Sequence, residues 1–395
     1  MTSSRFLPRS SARRNFPTLV ECVDRFVVLS LLLATLILDC GRAAADDVVI
    51  ETESLSVTIA GAPIKLEAIS AKPAGASGKL PIALIVPGLP TASQTNLSAA
   101  DQMLTARDFA RRGWLAAVVL RRGYGRSAGA KPQPVPCDVA AYRKKLAADA
   151  DDLEAALAAL ARRPDADSTR AIALGNASAG AAVVALSARN PDGLSAAISI
   201  SGGLQSEMSC AWDKPLVNVL QEFGRQSRVP NFWLYAKNDS VFTEDLADRM
   251  HAAFLDAGGD VTFVTFDPVG TEGQALFTAR ATRHLWLAEV DGFLRAHQLP
   301  TWTRADLNRI MTKLNYKPDL LNSSALHILE QYFADSGEKA LAHSTTTAFI
   351  GNRTTLWGAM ARPSLDLARA AALALCNKES TGCVIVMENQ TWVGD

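Results

Sequence analysis

The chain predicts an α/β architecture: a mostly parallel sheet flanked by helices, followed by a small α+β extension at the carboxyl end. Three observations predict it. Apolar runs of strand length alternate with helical patterns from residue 80 to residue 296. Several of these runs are apolar at successive positions, as in strands covered on both faces. After Pro300 the alternation stops. Such alternation defines βαβ units, and right-handed crossovers place helices on both sides of the sheet.

Residues 48–60 alternate apolar and polar, break at Ala60-Gly61-Ala62-Pro63, and alternate again over 65–71, which predicts a hairpin. Leu80–Val86 is a continuous apolar strand. A helix is predicted over Ser98–Arg112, capped by Gly113, before a second buried strand over Trp114–Leu120. The alanine-rich stretch Ala140–Ala161 is helical. Arg170–Leu174 is a short strand, Ala179–Arg189 a helix ending at Asn190-Pro191, and Leu194–Ile200 the next strand. Strands follow at Val229–Tyr235 and Val261–Phe266, with helices at Glu244–Ala257 and Arg283–Ala296. Beyond residue 300, only a helix over Ser364–Cys376 and a strand from Cys383 stand out.

The amino end reads as a targeting segment rather than fold. Arg5, Arg9, Arg13 and Arg14 precede a largely apolar run, Phe26–Leu38, and then Ala43-Ala44-Ala45. That order is the basic, apolar and small-residue succession of a secretory signal. A twin-arginine variant and an uncleaved anchor are the alternatives; the apolar run is short of the roughly 20 residues that a span needs. The expected division is a signal over 1–45, a main domain over 46–300 and an accessory module over 301–395. The expected location is periplasmic or secreted.

Cleavage there would leave Cys137, Cys210, Cys376 and Cys383 in an oxidising compartment. Cys376 and Cys383 are close enough in sequence to bridge locally. Cys137 with Cys210 stays open between a second bridge and buried thiols. Lys plus Arg equals Asp plus Glu, at 40 each, so no basic field attracts nucleic acid or an anionic membrane. No H-x-x-x-H pair or Cys/His cluster has metal-site spacing, and no Gly-rich nucleotide loop follows the first strand. No metal and no cofactor is expected, and the sequence is silent on oligomeric state.

The strongest chemical signal is Gly175-Asn176-Ala177-Ser178-Ala179-Gly180, between a predicted strand and a predicted helix. A serine on such a turn needs small neighbours two residues away. Read as Asn176-x-Ser178-x-Gly180, the pattern offers Ser178 as nucleophile and the N–H of Ala179 as an oxyanion donor. The alternative is an ordinary turn of small residues.

With VPGLP over 86–90, RRGYGRS over 121–127, GNASAG over 175–180, WLYAKNDSVF over 233–242 and DPVGTEGQALF over 267–277, the chain resembles the α/β-hydrolase superfamily, especially its dienelactone hydrolase-like branch. The resemblance covers residues 48–298. It implies that the loop after the first buried strand supplies a second oxyanion donor, the N–H of Leu89. It also implies that Asp239 is the triad acid. At the position where the family keeps its histidine stands Gln274, which has no accessible basic pKa and cannot take a serine proton. His284 lies ten residues further on; a helical connection would put it about 15 Å away, and a folded-back loop would bring it nearer. His251 and His297 read as surface residues, and His327 and His343 lie in the tail.

Two readings follow. In the first, the chain is a secreted serine hydrolase acting on a small carboxylic ester or lactone through Ser178, Asp239 and a displaced base such as His284. In the second, it is a non-catalytic relative that binds a ligand or partner in the same cleft. A third makes the tail the functional part.

Overall fold

In the computed structural model the described residues are 48–279 and 282–301, and beyond them 313, 328–329, 332–333, 337–345, 356–389 and 391–394. The signal reading over 1–45 lies outside them. The described residues belong to one compact unit.

The main sheet has the order β1-β2-β4-β3-β5-β6-β7-β8. β1 (Val48–Ile59) and β2 (Ala62–Pro73) form the expected hairpin, and β2 pairs antiparallel with β4 (Leu115–Val119). From β4 onward all pairing is parallel, through β3 (Leu80–Val86), β5 (Ala166–Asn176), β6 (Leu194–Ile200), β7 (Asn231–Ala236) and β8 (Val261–Phe266). The chain leaves β3 to one side for β4 and returns on the other side for β5. Such a reversal opens a crevice at the carboxyl ends of the strands. Here it lies between the loop after β3 and the turn after β5.

Helices cover both faces. α1 (Met103–Arg111) and α6 (Arg283–Ala296) pack one face through Phe109, Trp286, Leu287 and Val290. α2 (Val139–Ala161), α3 (Ala177–Ser187), α4 (Asp213–Gln226) and α5 (Glu244–Asp256) pack the other. Every residue of α3 is buried, so it is apolar all round and carries no amphipathic stripe. α4 was not foreseen, although Leu216, Val219, Leu220 and Phe223 recur at helical spacing and are buried. The preceding irregular segment hides that period.

The tail is a separate four-stranded antiparallel sheet of order β10-β9-β11-β12. Its strands are β9 (Glu338–Ser344), β10 (Leu356–Arg362), β11 (Cys383–Glu388) and β12 (Thr391–Trp392). α7 (Leu365–Glu379) lays Ala368, Ala372 and Cys376 on Ala340, Ala342 and Ala359. Cys376 and Cys383 are joined by a disulfide. β9 and β10 escaped the sequence reading because their alanines and glycine carry little strand preference. The tail meets α1 through three arginines. Arg107 pairs with Glu338 at 3.2 Å, Arg111 donates to the Gly337 carbonyl at 3.3 Å, and Arg112 donates to the Phe333 carbonyl at 3.3 Å.

Two buried ion pairs lock α1 to α6. The Arg112 fork donates to both oxygens of Asp291 at 2.7 and 2.8 Å, and Arg283 meets Asp108 at 2.6 Å. Burial alone would depress the Arg112 guanidinium, but the Asp291 carboxylate outweighs it and its pKa is raised. Losing one partner leaves the other charge buried and unpaired. Arg112→Met should therefore cost about 3–5 kcal/mol in urea unfolding, and adding Asp291→Leu should recover much of it.

Candidate active site

β5 ends at Asn176 with extended backbone, φ −120° and ψ 157°. The next residue, Ala177, has φ 47°, and α3 begins there. A non-glycine residue in the left-handed region, squeezed between a parallel strand and a buried helix, is the strained nucleophile turn. The crowding at the flanking positions fixes this register. A Cβ on Gly175 would lie 2.6 Å from the Ala179 carbonyl oxygen. The turn therefore reads Gly175-x-Ala177-x-Ala179, one residue earlier than the sequence suggested.

This corrects the placement of Ser178. It sits in the first turn of α3 rather than on the strained turn, and it is 1% exposed. Its Oγ accepts from Arg121 Nη2 at 2.9 Å. Arg121, buried at the end of β4, also donates to Asp149 at 2.8 Å and lies 4.3 Å above the Tyr124 ring. Burial disfavours its charge, but Asp149 more than compensates and its pKa is raised. An arginine cannot accept a proton, so the group touching the Ser178 hydroxyl is not a base. Small residues flank both registers, and the serine drew the sequence reading to the wrong one.

The oxyanion assignment shifts with it. The N–H following the turn residue now belongs to Ser178, and it donates to the Leu89 carbonyl at 3.2 Å. Leu89 thus presents an acceptor to the turn, where a donor was expected. Ala179 lies one residue too far along α3 for the role given to its N–H. The β3 loop is held down by Asn176, whose Oδ1 accepts from Gly88 N and whose Nδ2 donates to Gly88 O, both at 3.0 Å. A Cβ on Gly88 would meet Asn176 O at 2.3 Å and Ala179 N at 2.5 Å, so only glycine fits.

Asp239 and Gln274 come together as the resemblance implied. Asp239 follows β7 and is 2% exposed. Its Oδ1 accepts from the backbone of Val241 at 2.9 Å and Phe242 at 2.8 Å. Gln274 stands on a short turn of 3₁₀ helix, Gly273–Leu276, after β8. Its Nε2 donates to both Asp239 oxygens, at 3.0 and 2.9 Å. Glu272 anchors that turn by accepting from Gln274 N and Ser240 N, each at 3.1 Å. The amide thus gives the acid the hydrogen bond that a triad imidazole would give, and offers no basic nitrogen of its own.

His284 is the second residue of α6, and its side chain lies outside the described residues, as does His327. His251 stacks on Phe263 at 4.4 Å, with its pKa lowered by burial. His297 contacts the Phe293 ring, and His343 lies in β9 with its pKa lowered by burial.

A mostly parallel sheet, helices on both faces, a left-handed turn after β5 and an acid after β7 define the α/β-hydrolase architecture. The profile of the dienelactone hydrolase family matches residues 66–271, just over half of the chain. The chain belongs to the dienelactone hydrolase family, a family of hydrolases of esters and lactones. Nothing among curated proteins matches it. A protein from Klebsiella pneumoniae assigned as a dienelactone hydrolase is similar at 22% identity, over 55% of this chain and 87% of that one, with a TM-score of 0.40. A dienelactone hydrolase-like promiscuous phosphotriesterase from metagenomic libraries shares 18% identity over 56% and 82%, also at 0.40. A Pyrococcus furiosus esterase shares 16% over 62% and 90%, at 0.45.

Burial raises the Asp239 pKa, against the lowering effect of its hydrogen bonds from Gln274, Phe242 and Val241. A carboxyl with a raised folded pKa binds more protons folded than unfolded between the two values. Stability then falls as pH rises from the ordinary value near 3.8 through the folded value. Asp239→Asn should flatten that part of the curve, measured by urea unfolding from about pH 4 to about pH 8. An unchanged slope would assign the dependence to other groups.

Proposed function

We propose that within its hydrolase family this chain keeps the cleft as a binding site for an ester- or lactone-like small molecule and has given up the covalent serine route. The observation that carries this is Ala177, at φ 47°, on the turn where the nucleophile would stand. The amide of Gln274 on Asp239 and the Leu89 carbonyl on the Ser178 N–H support it independently. A methyl group cannot attack a carbonyl carbon, and an amide cannot take up a proton.

One observation favours the hydrolytic alternative. The Arg121 guanidinium lies 2.9 Å from the Ser178 Oγ, and a cation there favours the alkoxide. In that reading Ser178 attacks, and Arg121 stabilises it without a histidine.

The setting of the molecule is proposed on the same footing. The basic, apolar and small-residue succession over residues 5–45 supports export, and so do two disulfides. Residues 301–395 are taken as an accessory module on the hydrolase domain. The even charge balance argues against a nucleic-acid partner. No described helix is long and apolar enough to cross a membrane.

Turnover of short p-nitrophenyl esters separates the two readings. The parent should run at background, and Ser178→Ala should change nothing. Ala177→Ser with Gln274→His should raise the rate at least about a hundredfold, the usual scale of a restored general base. Parent turnover that Ser178→Ala abolishes would replace the binding reading with the hydrolytic one.

A further inference from the structure

Three loops crowd the carboxyl edge of the sheet around the Ala177 turn. The first runs over 87–98 after β3, the second over 120–138 after β4, and the third over 201–212 after β6. The third touches everything else. Gly203 N donates to the Ala177 carbonyl at 3.0 Å, and Gln205 N donates to the Pro90 carbonyl at 2.9 Å. Thr91 and Gln205 form a parallel bridge, and Ser93 meets Glu207. Toward the second loop, Ser206 Oγ donates to the Val135 carbonyl at 2.6 Å. The first two loops are joined by Gly125 N on Thr95 O at 3.0 Å.

Across this lacing runs one covalent bond, the disulfide between Cys137 of the second loop and Cys210 of the third. Cys210 is exposed and its flanking residues Met208 and Ser209 are exposed too. The other disulfide is different. Cys376 is 0% exposed, packed between α7 and the tail sheet. The two bridges therefore differ in access: one ends in the exposed Cys210, and the other joins the buried Cys376 to the half-buried Cys383.

We propose that the Cys137–Cys210 disulfide is a redox-sensitive latch on the cleft, opened by a dithiol reductant. A thiolate of the reductant attacks the exposed Cys210 sulfur and expels Cys137 as a thiolate, which takes up a proton. The second thiol of the reductant then resolves the mixed disulfide and frees Cys210. Two electrons pass from the dithiol, which is oxidised to a disulfide, to the protein, which gains two thiols. Without the bond, the outer half of the third loop, exposed over 207–211, loses its covalent tie and belongs to the low-stability end of a fold. Its release loosens the contacts of the inner half, Gln205 on the β3 loop and Gly203 on the Ala177 carbonyl. The latch operates whether or not the cleft turns a substrate over.

Hydrogen exchange of the full chain tests this, with dithiothreitol as the probe and alkylation to locate the reduced cysteines. At low dithiothreitol, label should enter Cys137 and Cys210 while Cys376 and Cys383 stay joined. Exchange should then rise at least about tenfold over 201–212 and 87–98, with β5 and α3 unchanged. Cys137→Ser with Cys210→Ser should show the fast exchange without reductant and no response to it. Three results would overturn the latch. One is labelling of Cys137 and Cys210 with exchange unchanged. Another is a rise throughout β5 and α3, which makes the bond a global staple. The last is reduction of Cys376–Cys383 first. Because the oxidised and reduced forms of the unsubstituted protein are compared, the test stands even if the double serine variant does not fold.

Discussion

The contact between the β3 loop and the turn after β5 organises the rest of the site. One side-chain amide, on Asn176, reads both the N–H and the carbonyl of Gly88, and so fixes the loop in position and in orientation. That clamp sets which face of the Leu89 peptide meets α3. With the carbonyl turned inward, the Ser178 N–H, one of the donors left free in the first turn of α3, is satisfied within the protein. The strain at Ala177 persists because a clamped loop, a wholly buried helix and the glycine at 175 leave the turn no other path.

Much of the fold was legible in the sequence, for a physical reason. Strands covered on both faces must be apolar at every position, so β3, β4, β6 and β7 read directly. The hairpin of β1 and β2 read by its alternation. α4 and, in the tail, β9, β10 and β12 did not. In β9 and β10 the alanines and glycine are nearly silent about burial. The pairing of Asp239 with Gln274 was legible from the resemblance because each follows a strand at a fixed place. The register of the turn was not. In Gly175-Asn176-Ala177-Ser178-Ala179-Gly180 every residue is small, and composition carries no information about which one takes positive φ. Backbone crowding decides that, through atoms of Gly88, Ala179 and Gly180 that come together only in three dimensions. The Cys137–Cys210 bridge was unreadable for the same reason: 73 residues separate its ends, and only the sheet order brings them together.

The Gln274–Asp239 pair shows how a site keeps its shape while changing its chemistry. The amide has the reach to bond both carboxylate oxygens, so the buried acid keeps a protein donor on each. An imidazole can pass a proton onward and take it back, while an amide N–H is fixed at any ordinary pH.

The arginines of α1 connect this domain to the tail in an asymmetric way. Arg107, Arg111 and Arg112 each send a donor to the tail, to Glu338 or to a main-chain carbonyl. The tail therefore covers part of the arginine-bearing face of α1, where Arg112 is already neutralised by Asp291. A chain ending near residue 300 would leave Arg107 and Arg111 without their tail partners. It would gain the nonspecific affinity for polyanions that the intact molecule, neutral overall, avoids. The tail can in this way decide what the rest of the molecule does not stick to.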